Sequence, residues 1–342
     1  MPADLSPTTF VLAGGLLLGT GFGALSQRSR FCLIAAVSNY ALIRDSRQLQ
    51  AWIAALAVAL LGAQALDALG MVALADSGYR RGGFDWLGAV AGGLAFGVGG
   101  ALAGGCAGRT VVNAASGGLG ALGALLAFAV SAWAAHFGFL EPWRVKIAAA
   151  SELPVADLST AALLGMPVWA PALAAALVVV AVLARLRPEP GMIAVGVAAG
   201  LLVVAGWWVT GTAAEASMGE LHPESLTYSG PLARAVSLAL GQKLAGAGFG
   251  IALLAGTLLG AFAAALAAGD LRWTRPAKGR WGYYLGGGAL MGVGASFAGG
   301  CNIGIGLTGT STLSVNAWLA LAAIAAGIRL GLAWLERSEG GA

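Results

Sequence analysis

The chain has 342 residues, of which 58% are hydrophobic and only 10% charged, with a formal net charge of +4 and a mean hydropathy of +0.83. A soluble domain carries about 25% charged residues, so this sequence has too few charges to cover a water-facing surface. The small positive balance gives no indication of nucleic acid. Apolar helices satisfy their own backbone in lipid, and the fold class expected is an all-α polytopic membrane protein.

In chain order, the N-terminal "MPADLSPTTF" lacks a basic n-region and carries Asp4. It does not read as a cleaved signal peptide, and the first apolar stretch is expected to remain as a span. A membrane helix needs about 20 mostly apolar residues. Nine stretches qualify: 8–25, 49–70, 84–104, 117–139, 167–186, 191–211, 245–268, 282–299 and 316–335. Four shorter, semi-polar segments lie between them, at 28–43, 106–115, 231–241 and 302–313. They are too short to cross and too weakly charged for ordinary loops, so they are expected to be short re-entrant helices. Gln64 and Asp67, in the second span, are expected to pair near its end.

Basic residues orient such a chain. With the N-terminus outside and the short segments returning to the side they left, the cytoplasmic side holds Arg28, Arg30, Arg44, Arg47, Arg185, Arg187, Arg272, Arg275, Lys278, Arg280 and Arg337. The outer side holds Arg80, Arg81, Arg144 and Lys146, a bias of eleven to four. It also holds an acidic loop with Glu215, Glu220 and Glu224. The N-terminus is therefore expected outside and the C-terminus in the cytoplasm.

A phrase repeats. "GLAFGVGGALAGGC" (93–106) and "GALMGVGASFAGGC" (288–301) agree at eight of fourteen positions. Both halves also follow the order span, short segment, span, span, short segment, span. The expected organisation is a first repeat over 1–140, a connector with one span over 141–190, and a second repeat over 191–342. An odd number of spans before the second repeat inverts it, which is a transporter architecture with its site where broken helices meet near the midplane.

Cys106 and Cys301 sit where a span gives way to a short segment. Glycine lets the chain turn there. The N-terminus of the following helix is a ready anion site and lowers a thiol's pKa. The two positions thus read as paired pads for an anion. Arg109, Thr110, Asn113 and Ser116 follow the first; Asn302, Thr308, Thr310, Ser311 and Thr312 follow the second. Arg109 is an ionisable residue at membrane depth, where such groups are functional by default. The third thiol, Cys32, lies in the first short segment between Arg28, Arg30 and an apolar run. A single free cysteine is often only a small buried hydrophobe; two in a repeated phrase argue for a site. Most glycines, including those of "GAVAG" (88–92), "GTLLG" (256–260) and "GYYLG" (282–286), read as helix-packing positions, and the tryptophans as interfacial anchors. Three cysteines without a C-x-x-C, and two separated histidines, His136 and His222, make neither a disulfide framework nor a metal site expected. No nucleotide-binding motif is present, and no cofactor is expected.

"RSRFC" (28–32), "LAGGC" (102–106) and "AGGCNIGIGLTG" (298–309) resemble the three cysteine motifs of the YeeE/YedE family, and "SLTYSGPLARA" (225–235) resembles its second-half segment. The resemblance runs through nearly the whole chain. It implies a bacterial inner-membrane protein of inverted halves that takes up thiosulfate or a related sulfur oxyanion. It also implies a relay of S–H hydrogen bonds, with Cys106 and Cys301 as the central pair and Cys32 as the auxiliary thiol toward the cytoplasm. The substrate-binding set expected is Cys32, Cys106, Cys301, Arg109, Asn113, Asn302, Arg28 and Arg30. A TusA-like sulfur-carrier protein is the implied cytoplasmic partner. Two departures from the family pattern are Ile305, where the family often has His, and Arg30, where it often has Gly. Two other functions stay open: a membrane sulfurtransferase with cysteine persulfides, for which no general base is visible near the thiols, and a passive pore.

Overall fold

A computed structural model describes residues 6–339 except 82, 156, 168, 219 and 243–247. The described residues are almost wholly helical. Helix α1 spans Pro7–Ser29, α2 Leu33–Ile43, α3 Arg47–Ala68, α4 Trp86–Ala103, α5 Ala107–Ala115 and α6 Leu119–Phe137. Between the expected halves lie α7 (Glu141–Ser151), α8 (Thr160–Leu164) and α9 (Trp169–Arg185). Then follow α10 (Pro190–Ala216), α11 (Ser229–Ala239), α12 (Phe249–Ala267), α13 (Trp281–Ala298), a π-helical turn Gly304–Gly309, and α14 (Val315–Glu339). Two-residue strands β1 (Phe84–Asp85) and β2 (Glu152–Leu153) pair antiparallel.

Seven helical stretches are long and apolar enough to cross a membrane, namely those containing α1, α3, α4, α6, α10, α12 and α14. The other two expected spans are also helical: α9 is a shorter apolar helix, and α13 is an 18-residue, glycine-rich one. Local chemistry fixes the starts. Ser6 accepts from the Thr9 amide with Pro7 opening α1, and Asp85 accepts from the Gly88 amide at 2.8 Å at the start of α4. Both cover amides that have no partner within the helix.

The helices pack in an interleaved manner. α1 lies along α12 while α10 lies along α3; α4 lies along α14 while α13 lies along α6; α4 and α13 cross each other, as do α1 and α10. The short helices follow suit: α5 touches α12, α6 and α1, and the π turn touches α3, α14 and α10. The crossing of α4 and α13 is a backbone contact. A Cβ on Gly99 would lie 2.6 Å from the Gly287 carbonyl oxygen, and a Cβ on Gly287 the same distance from that of Gly99. Such small-residue seams replace the hydrophobic drive that lipid removes. "GAVAG" and "GTLLG" behave as packing motifs, since Gly88, Gly92, Gly256 and Gly260 all face backbone of a neighbouring helix. "GYYLG" does not: Gly282 and Gly286 face open space.

Two neighbouring positions on α13 give the test. A methyl on Gly288 would drive into the Ala124 carbonyl of α6, while one on Gly286 meets nothing within 4 Å. Gly288→Ala should destabilise by about 1–3 kcal/mol, the range for overpacking, and lower the Tm in detergent. Gly286→Ala should leave it unchanged.

Candidate functional site

Where helices break, the sequence repeats the same geometry. α4 ends on Gly104 at φ 72° and α13 on Gly299 at φ 82°, the left-handed region that glycine enters without penalty. Two residues later come Cys106 and Cys301. Cys106 caps α5, its sulfur accepting from the Arg109 amide at 3.5 Å. The Cys301 sulfur accepts from the Gly304 amide at 3.4 Å. Both lie at the same offset, three residues on. The second glycine of each pair is also needed for space at one site: a Cβ on Gly300 would press on the Ile305 amide at 3.0 Å. After each short segment a second left-handed residue, Gly117 or Leu313, turns the chain into the next span. Each of these turns is strapped by a single β-bridge, Gly118 to Thr274 and Ser314 to Ser159.

All three thiols are free and buried. Cys32 is the first residue before α2, and its thiol lies near that of Cys106. The start of α5 approaches the Cys301 segment closely. A Cβ on Gly108 would lie 3.3 Å from the Tyr228 ring and 3.7 Å from Ile303. Buried aromatic rings surround this meeting point. Phe31 stacks on Trp52 at 5.4 Å, Phe22 stands edge-on to Phe31 at 6.3 Å, and Phe22 tilts against Tyr228 at 5.9 Å. The Tyr228 hydroxyl is hydrogen-bonded to Thr257 at 2.9 Å.

The polar candidates divide. Asn302 is fully buried, and neither atom of its carboxamide has a partner among the described residues. A buried amide left unpaired costs about 1–3 kcal/mol, which makes Asn302 a candidate polar contact for a bound molecule. Arg109 is half-buried and donates through Nη1 to the Ser26 carbonyl at 2.9 Å. That same carbonyl accepts from the Arg30 amide at 2.9 Å, where the chain turns left-handed at φ 57° between α1 and α2. Arg109 thus ties the start of α5 to the break before Cys32. Arg30 is exposed, within electrostatic reach of Arg109. Asn113 is half-buried on the last turn of α5. Arg28 is exposed and lines an apolar groove between α1, α10 and α12, so it is not brought to the thiols. Gln64 and Asp67 do not pair. Gln64 donates to the Ser311 carbonyl at 2.7 Å, and Asp67 accepts from the Leu74 amide at 3.0 Å. Two tryptophans are core rather than anchors: Trp52 joins the ring cluster, and the fully buried Trp207 donates to the Ser311 hydroxyl at 3.0 Å.

A vestibule of about 560 Å³ opens beside this centre, lined by Tyr79, His222, Glu224, Thr227, Arg234 and Gly299 among others. The Val72–Arg81 loop enters its wall, a contribution that no motif announced. Arg80, 8% exposed, forms an ion pair and a hydrogen bond with Asp157, which also accepts from the Ser159 amide at 2.9 Å. The Arg80 guanidinium holds the Asp157 carboxyl below its usual range.

A sequence profile of a family described as "Sulphur transport" matches residues 28–330. The chain is 30% identical to the Escherichia coli (strain K12) protein named "Thiosulfate transporter TsuA", covering 93% of each chain. It is 27% identical to the protein of the same name from Spirochaeta thermophila, covering 90% of this chain and 93% of that one.

Asp157 sets a pH dependence. Because its folded pKa is depressed, its contribution is fully present above the ordinary carboxylate value, about 3.9, and fades as pH falls through the folded value. The Tm gap between the wild type and Asp157→Asn should be constant at neutral pH and close only below that value. A gap that closes nearer neutrality would contradict the ion pair.

Proposed function

Because the chain belongs to the Sulphur transport (YeeE/YedE) family, we propose that this multi-pass membrane protein is an uptake transporter for thiosulfate or a closely related sulfur oxyanion. The observation that carries the reading is the doubled thiol cap. Each of Cys106 and Cys301 accepts a backbone N–H at a helix break, which leaves its S–H hydrogen to donate elsewhere. A buried acceptor-rich anion is a fitting partner for such a donor. The relatives' printed names supply the substrate: both are thiosulfate transporters.

The anion would meet Cys301 first, then Cys106, then Cys32, whose thiol lies near that of Cys106. Thiols are weak donors, and weak sites in series let an ion leave as well as enter. The partnerless Asn302 carboxamide would supply a stronger donor beside Cys301. Arg109 supplies positive charge near Cys106, with Asn113 farther along α5 and Arg30 at the end of the route. Arg28, standing in its lateral groove, would act on topology or lipid rather than on the anion.

The interleaved packing supports two inverted repeats, 1–140 and 191–342, joined by 141–190. Exchanging α1 with α10, α3 with α12, α4 with α13 and α6 with α14 maps the main contacts among these eight helices onto one another or onto themselves. The seven long apolar helices together with α9 and α13 would then be spans, and α2, α5, α11 and the π turn would be re-entrant. The distribution of basic residues favours an outer N-terminus and a cytoplasmic C-terminus in a bacterial inner membrane, with a small TusA-like carrier as receiver inside.

A covalent second reading is favoured by the nearness of the Cys32 and Cys106 thiols. A thiolate would attack the sulfane sulfur of thiosulfate, breaking its S–S bond, forming a cysteine persulfide and releasing sulfite. Mass spectrometry of the exposed protein separates the two, since transport without chemistry leaves all three thiols unmodified.

In proteoliposomes, wild type should take up labelled thiosulfate, and Cys106→Ala or Cys301→Ala should lose at least tenfold of the rate while still folding. Full uptake by both variants would overturn the proposal.

A further inference from the structure

The three thiols do not account for how an anion is admitted to Cys301. The vestibule reaches Gly299, two residues before Cys301, and stops. Cys301 is not part of its lining and is fully buried. What stands at the floor is Tyr79 with Thr227.

Tyr79 is a loop residue inserted against a helix break. Its hydroxyl and that of Thr227 both face Gly304. Gly304, whose amide holds the Cys301 sulfur, carries no side chain, and a Cβ there would strike Thr227 and sit 3.4 Å from the Tyr79 hydroxyl. Gly309, at the other end of the π turn, would place a Cβ 3.0 Å from the Tyr79 ring. The far side of the ring meets Trp207 edge-on at 6.3 Å. Tyr79 is thus wedged along the π turn that follows Cys301, over two positions where only glycine leaves room.

The wedge is anchored. The next residue, Arg80, pairs with Asp157. Asp157 orders Ser159, and the neighbouring Leu158 and Thr160 bond Val315 and Leu313 at 2.9 Å each. The same strap therefore holds the tyrosine and the end of the broken helix beneath it. Ser77 adds a side-chain bond to the Leu74 carbonyl at 2.7 Å, closing the loop on itself.

We propose that Tyr79, with Thr227, is the specificity-determining constriction between the vestibule and Cys301. It admits small inorganic sulfur oxyanions past two hydroxyl donors and turns away bulkier sulfonates. This inference rests on the reading of Cys301 as an anion station, but its test does not measure transport. The probe is sodium 2-sulfonatoethyl methanethiosulfonate, an organic sulfonate larger than thiosulfate. The Cys301 thiolate attacks its thiosulfonate sulfur, a mixed disulfide forms, and methanesulfinate leaves. Labelling of each cysteine is followed by residue-resolved mass spectrometry on the full chain in nanodiscs, so the sidedness of the protein does not matter.

Wild type should label slowly at Cys301. Tyr79→Ala should raise that rate at least tenfold while labelling at Cys32 and Cys106 stays at the wild-type rate. Arg80→Gln, which keeps the ring and cuts its anchor, should raise the rate at Cys301 at least threefold and serves if Tyr79→Ala does not fold. Unchanged Cys301 labelling in the folded variants would overturn the constriction without touching thiosulfate uptake. So would wild-type labelling already as fast as that of a small neutral thiol reagent. Loss of uptake in the cysteine variants bears on the transport reading alone.

Discussion

A helix that breaks away from water leaves amides with no solvent to satisfy them, and in this protein two of those amides are held by thiol sulfurs. Cys106 takes the Arg109 amide and Cys301 the Gly304 amide. Much of the centre depends on that choice. The cap needs a small side chain bonded back onto its own helix, two residues after a left-handed glycine, so the phrase Gly-Gly-Cys appears at both breaks. A serine would cap more strongly. A thiol caps weakly and keeps a soft, weak donor for something else, which is a poor bargain for stability and a sensible one for an ion that must move on.

Holding two breaks face to face requires close backbones on all sides. The glycine seam of α4 and α13 brings the two preceding helices together at Gly99 and Gly287. Arg109 fastens the first break to the carbonyl of Ser26, which also receives the Arg30 amide. On the other side the fastening is different. The Cys301 segment is held instead by Thr308 on the Leu226 carbonyl, by Gln64 and Trp207 on Ser311, and by the loop that carries Tyr79 and Arg80. The two breaks thus share a cap and differ in its support. Arg109 makes the Cys106 side cationic, while Asn302 and hydroxyls make the Cys301 side neutral and polar.

Long apolar elements were legible from composition alone. The stretch expected at 84–104 is helix over 86–103 with its break at Gly104, and 117–139 is helix over 119–137. The short segments were legible as interruptions but not in form. Residues 28–43 contain a turn at Arg30 that periodicity does not encode, and α1 runs through Ser29 before it. The π geometry of Gly304–Gly309 leaves no trace in hydropathy. The repeated cysteine phrase was visible, but nothing in it foretold that Cys32 would come near Cys106, because the two lie about seventy residues apart. Tyr79 and the Arg80–Asp157 pair were missed for the same reason. Arg80 counts as a topology charge in sequence and is buried in the fold, its partner lying beyond four intervening helices. Tyr228 stood in a segment already singled out, yet only packing against Gly108 gives it a place at the centre.

The most direct test of the central claim uses selenosulfate, which replaces the terminal sulfur of thiosulfate by selenium and can be located by anomalous scattering in crystals of this protein. The account predicts a selenium peak in contact with the Cys301 or Cys106 thiol, with oxygen density toward Asn302 in the first case and Arg109 in the second. A peak confined to the lateral groove at Arg28, or a crystal that binds the anion with both thiols untouched, would contradict it.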